Sequence, residues 1–183
     1  MESRIKVVGH PLHPMLIVFP LGLLATAVAF DITALISGNL NWYLISFWIM
    51  AAGILGGLLA AVPGLVDWWA IPNNTRAKGI GLWHGTGYVV VVLLFAMSWF
   101  IRRGNAEVPN SGALALSFPA LVLALVTGWL GGELVDRLGV GVDNGAHLDA
   151  PSSLSGLPAS ESKAPVLESR TKPTGGELTP RRY

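Results

Sequence analysis

"HPLHPMLIVFPLGLLATAVAFDITALI", residues 10–36, is a predominantly apolar run from Met15 to Ile36 in which Asp31 is the single charged side chain. A helix needs roughly 20 apolar residues to cross the hydrocarbon of a bilayer, so this stretch is long enough to span one. Two histidines, His10 and His13, stand three apart at its mouth, each followed by proline. Proline suits the first turn of a helix, where its missing N–H costs nothing. Arg4 and Lys6 precede the run, and "ATAVA" at 25–29 could pass for a signal-peptide cleavage site. The apolar run continues well past it, and cleavage would remove the histidine pair, so a retained helix is expected.

Working outward, three more runs of the same kind follow. The spans are expected at about 14–36, 42–66, 79–101 and 113–131, within a transmembrane domain of residues 1–137. Composition agrees: 52% of the 183 residues are hydrophobic and 13% charged, with a mean hydropathy of +0.56, against about a quarter charged in soluble domains. The lipid bilayer is therefore the first partner. A net charge of +1 with no basic stripe argues against nucleic acid. The absence of cysteine excludes disulfides and thiolate ligation by this chain. Short polar connections between the runs predict an all-α membrane protein, an antiparallel four-helix bundle. Residues 138–183 turn to Ser, Pro, Gly and mixed charge, and are expected to form a polar, disordered tail.

Basic residues set the expected orientation. The N-terminal face gathers Arg4, Lys6, Arg76, Lys78 and Arg137, whereas the opposite face has Arg102 and Arg103. The positive-inside rule then places both termini in the cytoplasm. Trp68, Trp69, Trp83 and Trp129 fall toward the N-terminal face and Trp42 and Trp99 toward the other, as interfacial belts require. Gly53 and Gly57, Gly81 and Gly85, and Gly128 and Gly132 are each four apart, which puts small residues on one helical face for close packing. Pro20, Pro63 and Pro119 permit bends.

The chain also repeats itself. His13 and His84 are 71 residues apart, as are the "SF" pairs at Ser46 and Ser117, and Gly57 and Gly128. "LVD" at 65–67 recurs at 134–136. Two helical hairpins related by a pseudo-twofold axis along the membrane normal account for the order of these matches. The first and third helices would then be diagonal, with His13 and His84 facing each other at equal depth.

Ionisable side chains at membrane depth are functional candidates. Two neutral imidazoles facing across a bundle can supply both axial ligands of a b-type haem. Gly81, about one turn before His84, and Gly85, directly after it, would clear space for the macrocycle; Tyr88, one turn beyond His84, would give a polar contact. His10 remains as an alternate ligand or a propionate partner. A rival reading has His10, His13 and His84 bind a divalent metal with Asp67, Glu133 or Asp136, in a protein that is a membrane anchor rather than a redox carrier. A third has Asp31 as an intramembrane acid of a transport path, although its place late in the first helix suits a bundle-facing acid better. No phosphate loop, nucleophile elbow or metalloprotease helix is present, so a redox carrier or binding protein is expected ahead of a substrate-transforming enzyme; no catalytic residue is assigned, and His147 has no assigned role.

Four motifs in order, "HPLHPMLIVFPLGLL", "GLVDWWAIP", "GLWH" and "GGELVDRLGVGV", resemble the bacterial membrane family catalogued as domain of unknown function 2231, over about residues 8–155. The resemblance implies a four-helix inner-membrane protein. Because some relatives are joined to Rieske-type iron–sulfur domains, it also implies a redox setting. Here the partner, such as a Rieske-type or cytochrome protein, would be separate. Asp136 and Leu138 stand where the resemblance leads one to expect an aromatic residue and a histidine.

Overall fold

A computed structural model describes residues 1–162 of the chain. Four long helices dominate it: α1 (Leu12–Ser37), α2 (Asn41–Ala70), α3 (Arg76–Arg102) and α4 (Ser111–Gly132), the last running on into a π-helical turn at Glu133–Arg137. All four are long and apolar enough to cross a membrane. Ahead of α1, two short strands, β1 (Lys6–Val7) and β2 (His10–Pro11), pair antiparallel.

Local chemistry sets the helix ends. Leu12 N–H donates to Ile5 O, fastening the start of α1 to the strand segment. Gly38, with φ +69°, closes α1 by returning its N–H to Ala34 O, a left-handed position that favours glycine. Thr75 and Asn110 cap α3 and α4 by accepting from the N–H groups of Lys78 and Ala113. Helix α2 continues beyond its apolar run through Asp67, Trp68 and Trp69. It can do so because the Asp67 carboxylate is satisfied, accepting from Ser3 Oγ and Arg4 N–H, both at 2.7 Å.

Within each hairpin the partners run in reverse order, as antiparallel packing requires. His13, Leu24 and Phe30 of α1 meet Ala60, Gly53 and Trp42 of α2. His84 and Ser98 of α3 meet Thr127 and Ala113 of α4. One apolar core joins the hairpins, built from Leu24, Ala27 and Val28 of α1, Met50 of α2, Val91 and Phe95 of α3, and Ala120 and Ala124 of α4. Large apolar side chains such as Phe19, Trp48, Leu59, Val122 and Trp129 face outward. Such a surface is stable only against lipid, since a soluble domain of this size does not expose contiguous patches of that extent.

The small-residue faces divide in use. Gly53 receives Leu24, and Gly57 receives the Tyr88 hydroxyl and Val92, so this pair seats side chains from both α1 and α3. Gly128, expected to be the counterpart of Gly57, has nothing within 4 Å of where a Cβ would stand. Arg102, counted from the sequence as a flanking surface charge, is 1% exposed and faces inward. The cause is Asp31, equally buried, whose carboxylate takes both terminal nitrogens of the guanidinium at 2.7 and 2.8 Å. Asp31 is thus the bundle-facing acid that its position suggested.

Candidate functional site

His13, in the first turn of α1, and His84, in the third turn of α3, are brought together from opposite hairpins. Their ring centroids are 6.2 Å apart and their planes stand at 85°. Each ring is held by the same device. His13 Nδ1 lies 2.8 Å from Ala60 O, and His84 Nδ1 lies 2.7 Å from Thr127 O. A carbonyl oxygen can only accept, so Nδ1 carries the proton in both rings and Nε2 is left with a lone pair.

Glycine makes this approach possible. Each carbonyl is followed four residues later by glycine, Gly64 after Ala60 and Gly131 after Thr127. A Cβ at Gly64 would stand 2.8 Å from His13 Nδ1 and Cε1; at Gly131 it would stand 3.1 Å from His84 Cε1. No side chain but hydrogen fits between helix and imidazole at the first position.

Both rings line one cavity of about 580 Å³ enclosed by the two hairpins and the segment after α4, within the usual size range of small-molecule sites. Its wall is mostly apolar. Gly85 borders it with open space where a side chain would be. Gly81 borders it too, but its missing side chain accommodates the Trp68 indole, since a Cβ there would lie 2.6 Å from Trp68 Cδ1. Trp68 is itself fixed: its Nε1–H donates to Lys78 O, while the Lys78 ammonium donates to Trp68 O and sits 4.1 Å above the ring. Tyr88 lines the cavity as well, and its buried hydroxyl has no hydrogen-bond partner among the described residues. The ring borders the cavity, whereas the hydroxyl is buried against Gly57 of α2.

The remaining candidates lie elsewhere. His10 is exposed on β2, with Nε2 3.4 Å from Ser153 Oγ. Asp67 borders the cavity but is engaged by the N-terminal segment. Glu133 pairs with Arg76, and Asp136 is exposed on the π-helical turn. His147 accepts from Asp149 N–H in the exposed segment beyond α4. Among the described residues no three His, Asp or Glu side chains gather as a metal would require.

Over this mouth of the bundle the chain ends are tied together. The N-terminal ammonium donates to Gly139 O, and Gly141 N–H returns a bond to Met1 O. Lys6 bridges Glu2 and Asp143. The Lys6 ammonium is raised above its ordinary pKa of 10.5, first by the Asp143 carboxylate and then by Glu2. Glu2 is lowered from 4.5, chiefly by Lys6 and then by the Asn144 N–H. Part of the polar tail, residues 138–162, is therefore described here as turns that include contacts to the N-terminal segment. The rest of that tail, 163–183, lies outside the described residues.

The family model described as "Predicted membrane protein (DUF2231)" matches residues 9–144, most of the chain and all of the elements that build the cavity. The chain belongs to this family. No curated protein and no solved structure is matched by the sequence. Membership in DUF2231 accounts for the four spanning helices, and the histidine pair, its two carbonyl anchors and the orphan hydroxyl all fall inside the matched region.

What sequence reading missed is the set of anchors. Ala60 and Thr127 act through backbone oxygen, which leaves no mark on residue type. The glycines four residues on are the one available signal, and they are 67 apart rather than 71, outside the register in which the repeat is visible.

Proposed function

We propose that this membrane protein is a b-type haem electron-transfer subunit, with His13 and His84 as the two axial ligands. The observation that carries the reading is the pair of Nδ1–carbonyl bonds. Metal-binding histidines characteristically donate their second ring nitrogen to a carbonyl or carboxylate, which fixes the tautomer and raises the basicity of the ligating nitrogen. The rings are also close together, with centroids 6.2 Å apart, so both would reach one ion held between them.

Bound haem would supply a one-electron couple and nothing else. The protein's residues do the rest. The two carbonyls fix the orientation of the imidazoles, so that little rearrangement accompanies a change of charge. Tyr88 contributes its ring to the wall, and Gly85 leaves the wall open. Among the described residues Arg4 and Arg137 make no side-chain ion pair, which leaves both available for carboxylates at the N-terminal face. With Arg102 buried against Asp31, the excess of basic residues on that face is larger than the sequence count. This supports a cytoplasmic position for both termini in a bacterial inner membrane. The electron partner would be a separate redox protein, such as a Rieske-type or cytochrome protein.

The test is spectroscopic. Protein expressed with haem supply and purified in detergent should show a Soret band and a dithionite-sharpened α band at one haem per chain. His13→Ala and His84→Ala should each remove them. Absence of the bands in the parent protein refutes haem binding; bands that persist in His84→Ala refute the ligand assignment.

A further inference from the structure

The Asp31–Arg102 pair lies at the end of the bundle away from the histidines, and its spacing in the chain is 71 residues, the same as His13 to His84 and Ser46 to Ser117. All three repeat-related pairs converge. The rings of His13 and His84 face each other, Asp31 and Arg102 are bonded, and Ser46 and Ser117 both sit against the Arg102 guanidinium, at 3.5 and 3.2 Å. In a twofold arrangement only positions on the axis meet their own counterparts, so these residues mark the axis. Surfaces related in this way are close to self-complementary. A first hairpin could therefore mate with the first hairpin of another chain much as it does with its own second hairpin.

We infer that the buried Asp31–Arg102 pair is the specificity element that mates the first hairpin with a second hairpin and rejects a second copy of itself. In a pairing of two first hairpins Asp31 would face Asp31, and in a pairing of two second hairpins Arg102 would face Arg102. Both sites are dry, with no exposure of either side chain. Like charges there would repel with no water to screen them, and each would lose its counter-ion. In the observed pairing every donor is used: Nη1 and Nη2 on Asp31, Nη2 also on Ser117, Nη1 also near Ser46, and Nε on Ser98, whose hydroxyl passes on to Ala113 O. The first hairpin contributes Asp31 and Ser46, the second Arg102, Ser98 and Ser117. Apolar residues of similar volume would fill the same space without loss of stability. What they would not supply is the rejection of the wrong mate.

The native chain has no cysteine, so a single introduced one reports the wrong pairing directly. Ser46→Cys places a thiol beside the charged pair, where residue 46 and its counterpart Ser117 converge on one guanidinium and a pairing of two first hairpins would bring it against its copy. In membranes treated with oxidant, the parent charges should give little chain-to-chain disulfide. The apolar double variant Asp31→Leu/Arg102→Met should purify as well as the parent and crosslink at least fivefold more. Arg102→Asp alone should lose monodisperse monomer at least tenfold, and the exchanged double variant Asp31→Arg/Arg102→Asp should recover it. The inference is overturned if the exchanged variant does not recover, if the apolar variant fails to fold, or if it crosslinks no more than the parent.

Discussion

Substituting Gly64 by alanine tests the anchor of His13 directly. A Cβ at this position would lie 2.8 Å from two atoms of the His13 ring, whereas carbon contacts are comfortable at about 3.5–4.0 Å. The ring must therefore retreat by about 1 Å. It cannot retreat and keep its 2.8 Å bond to Ala60 O, because that carbonyl lies one turn below the new methyl on the same helix face. Losing the bond costs about 1 kcal/mol, and the alternative, parting α1 from α2, costs about 1–3 kcal/mol as overpacking. Alanine returns up to about 1 kcal/mol of helix propensity, so a net loss on the order of 1–2 kcal/mol is expected. Gly131→Ala, with its nearest ring atom at 3.1 Å, should lose less, and Gly128→Ala, with nothing within 4 Å, should lose nothing. Thermal unfolding of the three variants in one detergent, followed by circular dichroism, ranks them. Should Gly64→Ala match the parent while Gly128→Ala falls, the assignment of these glycines to imidazole approach is wrong.

Tyr88→Phe keeps the ring and removes a buried hydroxyl that lacks a partner among the described residues. Freed of a desolvation cost of about 1–3 kcal/mol, the cofactor-free variant should melt at a higher temperature than the parent, and a lower one would show that the hydroxyl is satisfied. The tie between the chain ends has a defined pH window. Glu2 is lowered from 4.5, so its contribution is complete above that pH and fades as pH falls below it; Lys6 is raised from 10.5, so its contribution is complete below that pH and fades above it. Hydrogen exchange at residues 1–7 and 139–144 should stay protected, after correction for intrinsic rates, between about pH 4.5 and 10.5 and rise outside that range. Protection unchanged at pH 3 would show that these ion pairs do not hold the segment.

The four helices were legible because lipid solvation demands long apolar runs, and the runs leave little room for another architecture. The histidine pair was legible because its members stand at the same offset of 71 residues as the other matched positions. Arg102 was misread because it stands beside Arg103 at a helix end, where a basic pair ordinarily marks the membrane surface. Only the partner, Asp31, shows that one of the two turns inward, and the offset of 71 linking them was there to be used. Gly81 was read as room for a ligand, yet an indole from the preceding helix takes that room. A glycine reports that something comes close without saying what.

The repeat is not uniform, and the departure bears on the site. From His13 to Asp31 and from His84 to Arg102 the chain advances by the same 18 residues. From Ser46 to Ala60 it advances by 14, but from Ser117 to Thr127 by only 10, although the same two groups of contacts are met at each end. Four residues are one helical turn, about 6 Å, so α4 reaches from the charged pair to the imidazole one turn sooner than α2. That offset accounts for the differing environments of Gly57 and Gly128, which share a number offset but not a place. The hairpins also differ in residue type where the register is kept: Tyr88 has Ile17 as its counterpart 71 residues earlier, so the hydroxyl seated against Gly57 has no symmetry mate.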